Sequence, residues 1–150
     1  MLSNRYPDPE QDGSDGPEPG REGTGLRVLV VEDDADLAAG LAGWLGRCGH
    51  DVRVASDGPA ALRATEAGPP DVVLLDIGLP GMDGYEVARR VHEEVAPTAP
   101  KAPLVIAVTG RAGEADRLRS QQAGIDLHLV KPVDTDQLGR ILRRFHRIIL

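Results

Sequence analysis

Beyond residue 25 the chain alternates short apolar runs with longer stretches whose apolar residues recur at helical spacing, which predicts repeated βα units. Leu26 to Val31 reads as a first strand, and Asp36 to Arg47 then brings Leu37, Leu41, Trp44 and Leu45 onto one helical face. A weaker strand, Val52 to Ala55, leads through Asp57-Gly58-Pro59 into a helix that ends near Gly68-Pro69-Pro70. Val72 to Leu75 forms the third strand, followed by a Gly/Pro-rich loop at 78–84, a helix from about Tyr85 to Val95, and a Pro-rich connection. The fourth strand is Leu104 to Val108, and the helix around Glu114 to Ala123 stops at Gly124. A fifth strand, Leu127 to Val130, is broken by Lys131-Pro132, after which Asp134 can cap a last helix reaching almost to Leu150. Five such units predict a parallel sheet flanked by helices. Crossovers of this kind are right-handed, and open sheets place their ligands beyond the carboxyl ends of the strands.

Residues 1–25 break this pattern. They are rich in Pro, Gly, Asp and Glu with almost nothing apolar to bury, so ordering them would cost entropy without return. They are expected to form a disordered acidic tail, leaving residues 26–150 as a single domain. The net charge of −7 divides into −4 on that tail and −3 on the globule. A mildly acidic chain with one Trp, two Tyr and one Phe lacks the basic surface and stacking aromatics of a nucleic-acid binder. No apolar run reaches membrane-spanning length and the N-terminus has no signal-peptide pattern, so the expectation is a soluble, cytoplasmic protein. The single cysteine, Cys48, cannot form an internal disulfide and reads as helix packing.

The residues just past the strands carry the chemistry. The first strand ends in Glu32-Asp33-Asp34, the third in Asp76, the fourth in Thr109 and the fifth in Lys131. Carboxylates gathered without a cation repel and raise one another's pKa, so the cluster implies a bound metal. Hard oxygen ligands with open positions suit Mg²⁺ better than zinc, and no Cys or His cluster competes. Carboxylates around a metal, beside a lysine and a threonine hydroxyl, form a phosphoryl-transfer constellation in which one Asp can be the nucleophile. Lys131 would pair with one phosphoryl oxygen and Thr109 would donate to another. Lysine is scarce in this chain, with Lys101 and Lys131 against 15 Arg, which makes a strand-end lysine a pointed choice.

Four segments, Val30-Val31-Glu32-Asp33-Asp34, Leu75-Asp76-Ile77-Gly78-Leu79-Pro80-Gly81-Met82-Asp83-Gly84, Val108-Thr109-Gly110 and Leu129-Val130-Lys131-Pro132, closely resemble response-regulator receiver domains of two-component systems. The similarity covers about residues 26–147, and four motifs in the right order are far more specific than one Asp-rich stretch. The resemblance implies a flavodoxin-like (βα)5 doubly wound sheet in strand order 2-1-3-4-5, which sets the acidic pair beside Asp76. It further implies Asp76 as phosphoacceptor, Glu32 and Asp33 as the acidic pair, Gly78 as a backbone-carbonyl ligand to Mg²⁺, and Thr109 and Lys131 as switch hydroxyl and phosphate-binding lysine. A cis Lys131-Pro132 peptide is common in the family. A sensor histidine kinase or histidine phosphotransfer protein would be the donor, and a partner protein would read the face formed by the fourth helix, fifth strand and fifth helix. One departure stands out. The switch aromatic, usually Tyr or Phe three residues before the lysine, is His128 here, as in many hybrid-kinase receivers and some free-standing ones.

Plainer readings stand beside these. Asp76 and Glu32-Asp33, each taken alone, could be solvated loop carboxylates, and Thr109 could cap the next helix. Asp34 and Asp36 read as helix-start residues favoured by the helix dipole rather than as ligands. His128 reads as a partly buried strand residue, and His50, His92 and His146 lie in turn or helix contexts without ligand partners. Arg140, Arg143, Arg144 and Arg147 form the solvated face of the last helix or, less simply, a docking surface. Among rival functions, a flavodoxin-type carrier needs a hydroxyl- and glycine-rich loop where this chain puts acids. A haloacid-dehalogenase-type phosphatase would match Asp34-Ala35-Asp36 but leave Asp76 without purpose. A degenerate receiver acting only as an interaction module would be expected to lack part of the site, and every matched position is filled. The expectation is therefore a phosphoacceptor signalling domain rather than an enzyme, either a free-standing regulator or the terminal receiver of a hybrid kinase, with no output domain of its own.

Overall fold

A computed structural model describes residues 25–95, 102–110 and 117–149. Strands β1 (Arg27–Val31), β2 (Asp51–Ala55), β3 (Val72–Asp76), β4 (Leu104–Thr109) and β5 (Leu127–Val130) are all parallel and ordered 2-1-3-4-5. The helices are α1 (Ala35–Arg47), α2 (Gly58–Ala67), α3 (Gly84–Arg90) running on into a π-helical turn (Val91–Val95), α4 (Arg117–Ala123) and α5 (Thr135–Ile149). The expected sheet and order are thus what the molecule has. The expected tail, and the start of the fourth helix at Glu114, lie outside the described residues.

The central strands are apolar almost throughout because both of their faces are covered. Alternate side chains point to opposite faces and sort into two cores. Val28, Val30, Leu74, Ile106 and Val108 pack with Trp44, Leu45, Leu138 and Leu142 of α1 and α5. Leu29, Val31, Leu75, Val105 and Ala107 pack with Leu62, Val87, Ala88 and Ala123 of α2, α3 and α4. Each such Leu or Val, wholly removed from water, contributes roughly 1.5–3 kcal/mol. Edge strands β2 and β5 are wetter, with Val54, Leu127 and Val130 exposed. Cys48 is buried at the end of α1, where burial pushes its thiol up to about 11, in keeping with a packing role.

Aspartates start α1, α2, α3 and α5. Asp34 accepts from the Asp36 and Leu37 amides, Asp57 from Ala60, Asp83 from Glu86, and Asp134 from Asp136 and Gln137. Each takes up amides that the first helical turn cannot satisfy. Asp34 and Asp134 thereby do what their sequence positions predict. At the other end of α2, the Arg53 guanidinium caps the Ala64 and Gly68 carbonyls.

The two ends of the sheet are treated differently. At the amino end, side chains take up the strands' first amides: Asp71 Oδ2 accepts from Arg27 at 2.8 Å, Asp126 Oδ2 from Val105 at 2.8 Å, and His50 Nδ1 from Leu26 at 3.0 Å. At the carboxyl end, charged side chains lie at or just past the strand ends instead, at Glu32, Asp76 and Lys131. The His50 bond requires an unprotonated Nδ1, and burial, with help from His146, pulls its pKa from 6.5 to about 4. The folded protein therefore binds fewer protons than the unfolded chain between these values, and stability falls as pH drops through 6.5 towards 4. His50→Asn, which keeps an acceptor but does not titrate, is expected to remove up to about 3 kcal/mol of that acid-side loss. Urea unfolding of both proteins across this range measures the difference.

Candidate functional site

Parallel register brings four strand ends together. Glu32 follows β1 and donates its amide to Ala55 O of β2 at 3.0 Å. Asp76 is the last residue of β3, one longer than the apolar run predicted, because it pairs with Val108 and the next amide, Ile77, bonds to Val108 O. β4 likewise extends to Thr109, whose carbonyl accepts the Lys131 amide at 2.7 Å. The peptide bond between Lys131 and Pro132 is cis.

Residues distant in the chain thus meet. Lys131 Nζ lies 2.6 Å from Glu32 Oε1 and 3.1 Å from Asp76 Oδ2, across 55 residues of sequence in the latter case. Asp76 Oδ1 accepts the Gly78 amide at 2.9 Å, so both of its oxygens are held. Glu32 Oε2 receives the Asp34 amide at 3.4 Å. Glu32 and Asp76 are 8% and 9% exposed whereas Asp33 is exposed, so the cluster opens to solvent on the Asp33 side. One oxygen from each of Glu32, Asp33 and Asp76 lies within 4.8 Å of the others. Three hard oxygen donors at that spacing fit a small divalent cation such as Mg²⁺. Thr109 is buried beside them, and its Oγ1 lies 3.5 Å from Leu129 O, at the limit of a hydrogen bond.

Crowding sets the charges apart. Burial, and then the contact with Asp76, pushes the Glu32 carboxyl up to about 7 against the pull of Lys131. Burial also acts to raise Asp76, but bonds with Glu32, the Gly78 amide and Lys131 outweigh it and hold its carboxyl below the usual range. Asp76 is therefore the more readily ionised member of the pair, and Glu32 holds its proton to higher pH. Burial works against the Lys131 ammonium, yet Glu32 and Asp76 together raise its pKa.

Of the residues singled out in the sequence, Glu32, Asp33, Asp76, Thr109 and Lys131 converge, and Gly78 contributes its amide to Asp76. His128 does not join them. It is also exposed rather than partly buried, because β5 is an edge strand and His128 points away from the core that takes Leu129. Its Nε2 is 2.9 Å from Ser120 Oγ on α4.

The family model for the response regulator receiver domain matches residues 28–143. The chain belongs to that family. This receiver is 38% identical over 124 residues to the transcriptional regulatory protein TcrA of Mycobacterium tuberculosis, covering 83% of this chain and 47% of that protein. It therefore spans about half the length of that relative. The N-terminal receiver domain of Klebsiella pneumoniae RstA, solved in a BeF3-activated form, superposes with a TM-score of 0.70 at 27% identity, over 81% of this chain and 98% of that one. The receiver domain of Saccharomyces cerevisiae Ssk1, co-crystallised with the histidine phosphotransfer protein Ypd1, shares the fold with a TM-score of 0.75 at 21% identity, over 83% and 90% of the two chains.

One positioning residue was quoted in the sequence motif without a role. Gly84 opens α3 so close to the site strand that an added Cβ would lie 2.7 Å from Ile77 Cα and 2.8 Å from Asp76 O. Gly84→Ala is expected to cost about 1–3 kcal/mol by forcing that backbone apart. Urea unfolding measures the loss, and an unchanged midpoint would show that the loop after Asp76 yields freely.

Proposed function

We propose that this receiver accepts a phosphoryl group onto Asp76 from a partner phosphohistidine and passes the signal to another protein through a change in its α4-β5-α5 face. The observation that carries the reading is the Lys131 ammonium set between Glu32 and Asp76, within a carboxylate cluster of cation-binding spacing. Asp76 is the nucleophile. The bonds that lower its pKa keep it a carboxylate, and the Gly78 amide and Lys131 fix its orientation. An Asp76 oxygen attacks phosphorus in line, the donor's nitrogen–phosphorus bond breaks, and the departing imidazole nitrogen takes a proton from solvent. Lys131 then pairs with one phosphoryl oxygen and the Thr109 hydroxyl donates to another. Asp33, Asp76 and the Gly78 carbonyl would hold Mg²⁺ directly and Glu32 through water; when bound it neutralises charge on the transferred oxygens. Formation of the acyl phosphate draws Thr109 and Lys131 inward and biases the α4-β5-α5 face.

The donor would be a sensor histidine kinase or a histidine phosphotransfer protein, and the Ssk1 receiver with Ypd1 gives a fold-level precedent. The few aromatics and acidic balance support a protein rather than nucleic acid as downstream partner. No described helix is long and apolar enough to cross a membrane, and a cytoplasmic location follows from the proposed donors. Residues 1–25 are assigned as an acidic segment outside the receiver proper, which would occupy 26–150. The role is that of a signalling domain, with phosphotransfer and autodephosphorylation as its only chemistry.

Intact mass after incubation with acetyl phosphate tests this directly. A gain of one labile phosphoryl group is expected with Mg²⁺, little without it, and none in Asp76→Asn. No adduct in the wild type, despite measurable Mg²⁺ binding, would leave a constitutive interaction module instead. A second expectation concerns pH. With Glu32 near 7, a cation entering below that value must displace a proton, so Mg²⁺ affinity rises from pH 6 to 8 by at most about tenfold per pH unit. Titration calorimetry should find this slope in the wild type and a flatter one in Glu32→Gln.

A further inference from the structure

Positive charge gathers on one helix. α5 holds four Arg against one Asp, a net +3, although residues 26–150 together carry −3, which leaves the rest of that domain at −6. Leu138 and Leu142 on one side of α5 are buried against the sheet. Arg140, Arg144 and Arg147 recur at helical spacing on the other side and are exposed, with Ile148 beside them 73% exposed. Among the described residues no ion pair involves any of these three arginines.

The course of α5 decides what lies within reach of that face. The helix starts beyond Lys131-Pro132 at the carboxyl edge of the sheet and ends at the amino edge, where His146 is close enough to act on His50. His50 in turn accepts the Leu26 amide, and Gly25 lies so close to Gly49 that there is no room for a side chain. The chain before Gly25 therefore enters the globule beside the arginine-bearing end of α5. Residues 1–25 carry Asp8, Glu10, Asp12, Asp15, Glu18 and Glu22 against Arg5 and Arg21, a net −4 with almost nothing apolar. A segment of 25 residues has the reach to cover this 15-residue helix, which is about 22 Å long.

We propose that residues 1–25 lie against the exposed arginine face of α5 in the same molecule, as an acidic cover that any acidic partner of α5 must displace. The proposal goes beyond the phosphoacceptor reading and does not depend on it. Charge selects the surface: a segment at −4 is repelled by a domain that is otherwise at −6, and α5 opposes it in sign. Each exposed arginine–carboxylate pair is weak and screened by salt. Tethering compensates, because a linked segment meets its site at an effective concentration on the order of millimolar. The cover is therefore loose, exchangeable and sensitive to salt, and it acts by competition rather than by a change of fold.

The test uses the whole chain with a nitroxide on Ser14→Cys, Cys48 being buried, and reads the broadening of amide ¹⁵N signals. At about 0.05 M NaCl the signals of residues 140–148 should lose intensity while those of α2 and α3 keep it, and at about 0.5 M NaCl the loss should vanish. Changing the six acids to Asn and Gln should abolish it, as should Arg140→Gln, Arg144→Gln and Arg147→Gln combined, while lysine at those three positions should retain it. Even broadening over the whole surface, or broadening that survives removal of the acids, would overturn the proposal. Broadening of unmodified ¹⁵N chains mixed with spin-labelled ones would put a second copy's segment on α5 and overturn the cover within one molecule. A fluorescent decaglutamate peptide reads the competition: it should bind the chain without the six acids about tenfold tighter than the wild type. Equal affinity for the two would also sink the cover. None of these readouts involves Asp76, so the phosphoacceptor reading stands or falls separately.

Discussion

The contact on which this receiver's arrangement turns is a lysine ammonium shared by two almost buried carboxylates. Glu32 and Asp76 are adjacent only because β1 and β3 are neighbours, and together they would repel without a positive partner. Lys131 supplies that charge from the far side of the sheet. The residual strain appears in Glu32, whose carboxyl rises to about 7, rather than in Asp76, which more bonds hold as a carboxylate. Under the proposed function, this places an ionised nucleophile with an ammonium already beside it.

The rest of the fold concentrates this tension at one end. At the amino edge, Asp71, Asp126 and His50 take up backbone amides. At the carboxyl edge, aspartate caps start α1 and α3 next to the site strands and fix where the loops after β1 and β3 turn. Gly84 lets α3 begin almost in contact with Asp76, so the loop that carries Gly78 has little room to move. Packing of the two cores then sets the distances on which the charges depend.

Weakly packed elements lie on the other side of that balance. α4 and β5 bury fewer side chains than α1 and β3, with Ser120 and Ala123 buried in the one and Leu129 in the other. Such elements can be biased by a small change at the site, since few buried contacts must be broken.

Much of this was legible in one dimension. The alternation of apolar runs determined the five βα units, since a buried parallel strand must be apolar on both faces and an amphipathic helix must repeat every 3.6 residues. The motifs around Glu32, Asp76, Thr109 and Lys131 named the candidate residues, because carboxylates, a hydroxyl and a lysine at strand ends are a chemically coherent set. Local pattern misplaced the ends of β3 and β4, where Asp76 and Thr109 look like loop residues yet stay in the ladder. It also misjudged His128, because an apolar strand reads as buried whether it lies at the centre or the edge of a sheet. Chain pattern determines which residues are available and which face of an element they occupy. Only tertiary structure decided that Lys131 touches Glu32 and Asp76, that Glu32 holds its proton to higher pH than Asp76, and that His128 meets Ser120, since distances and charge coupling arise between segments that local sequence does not relate.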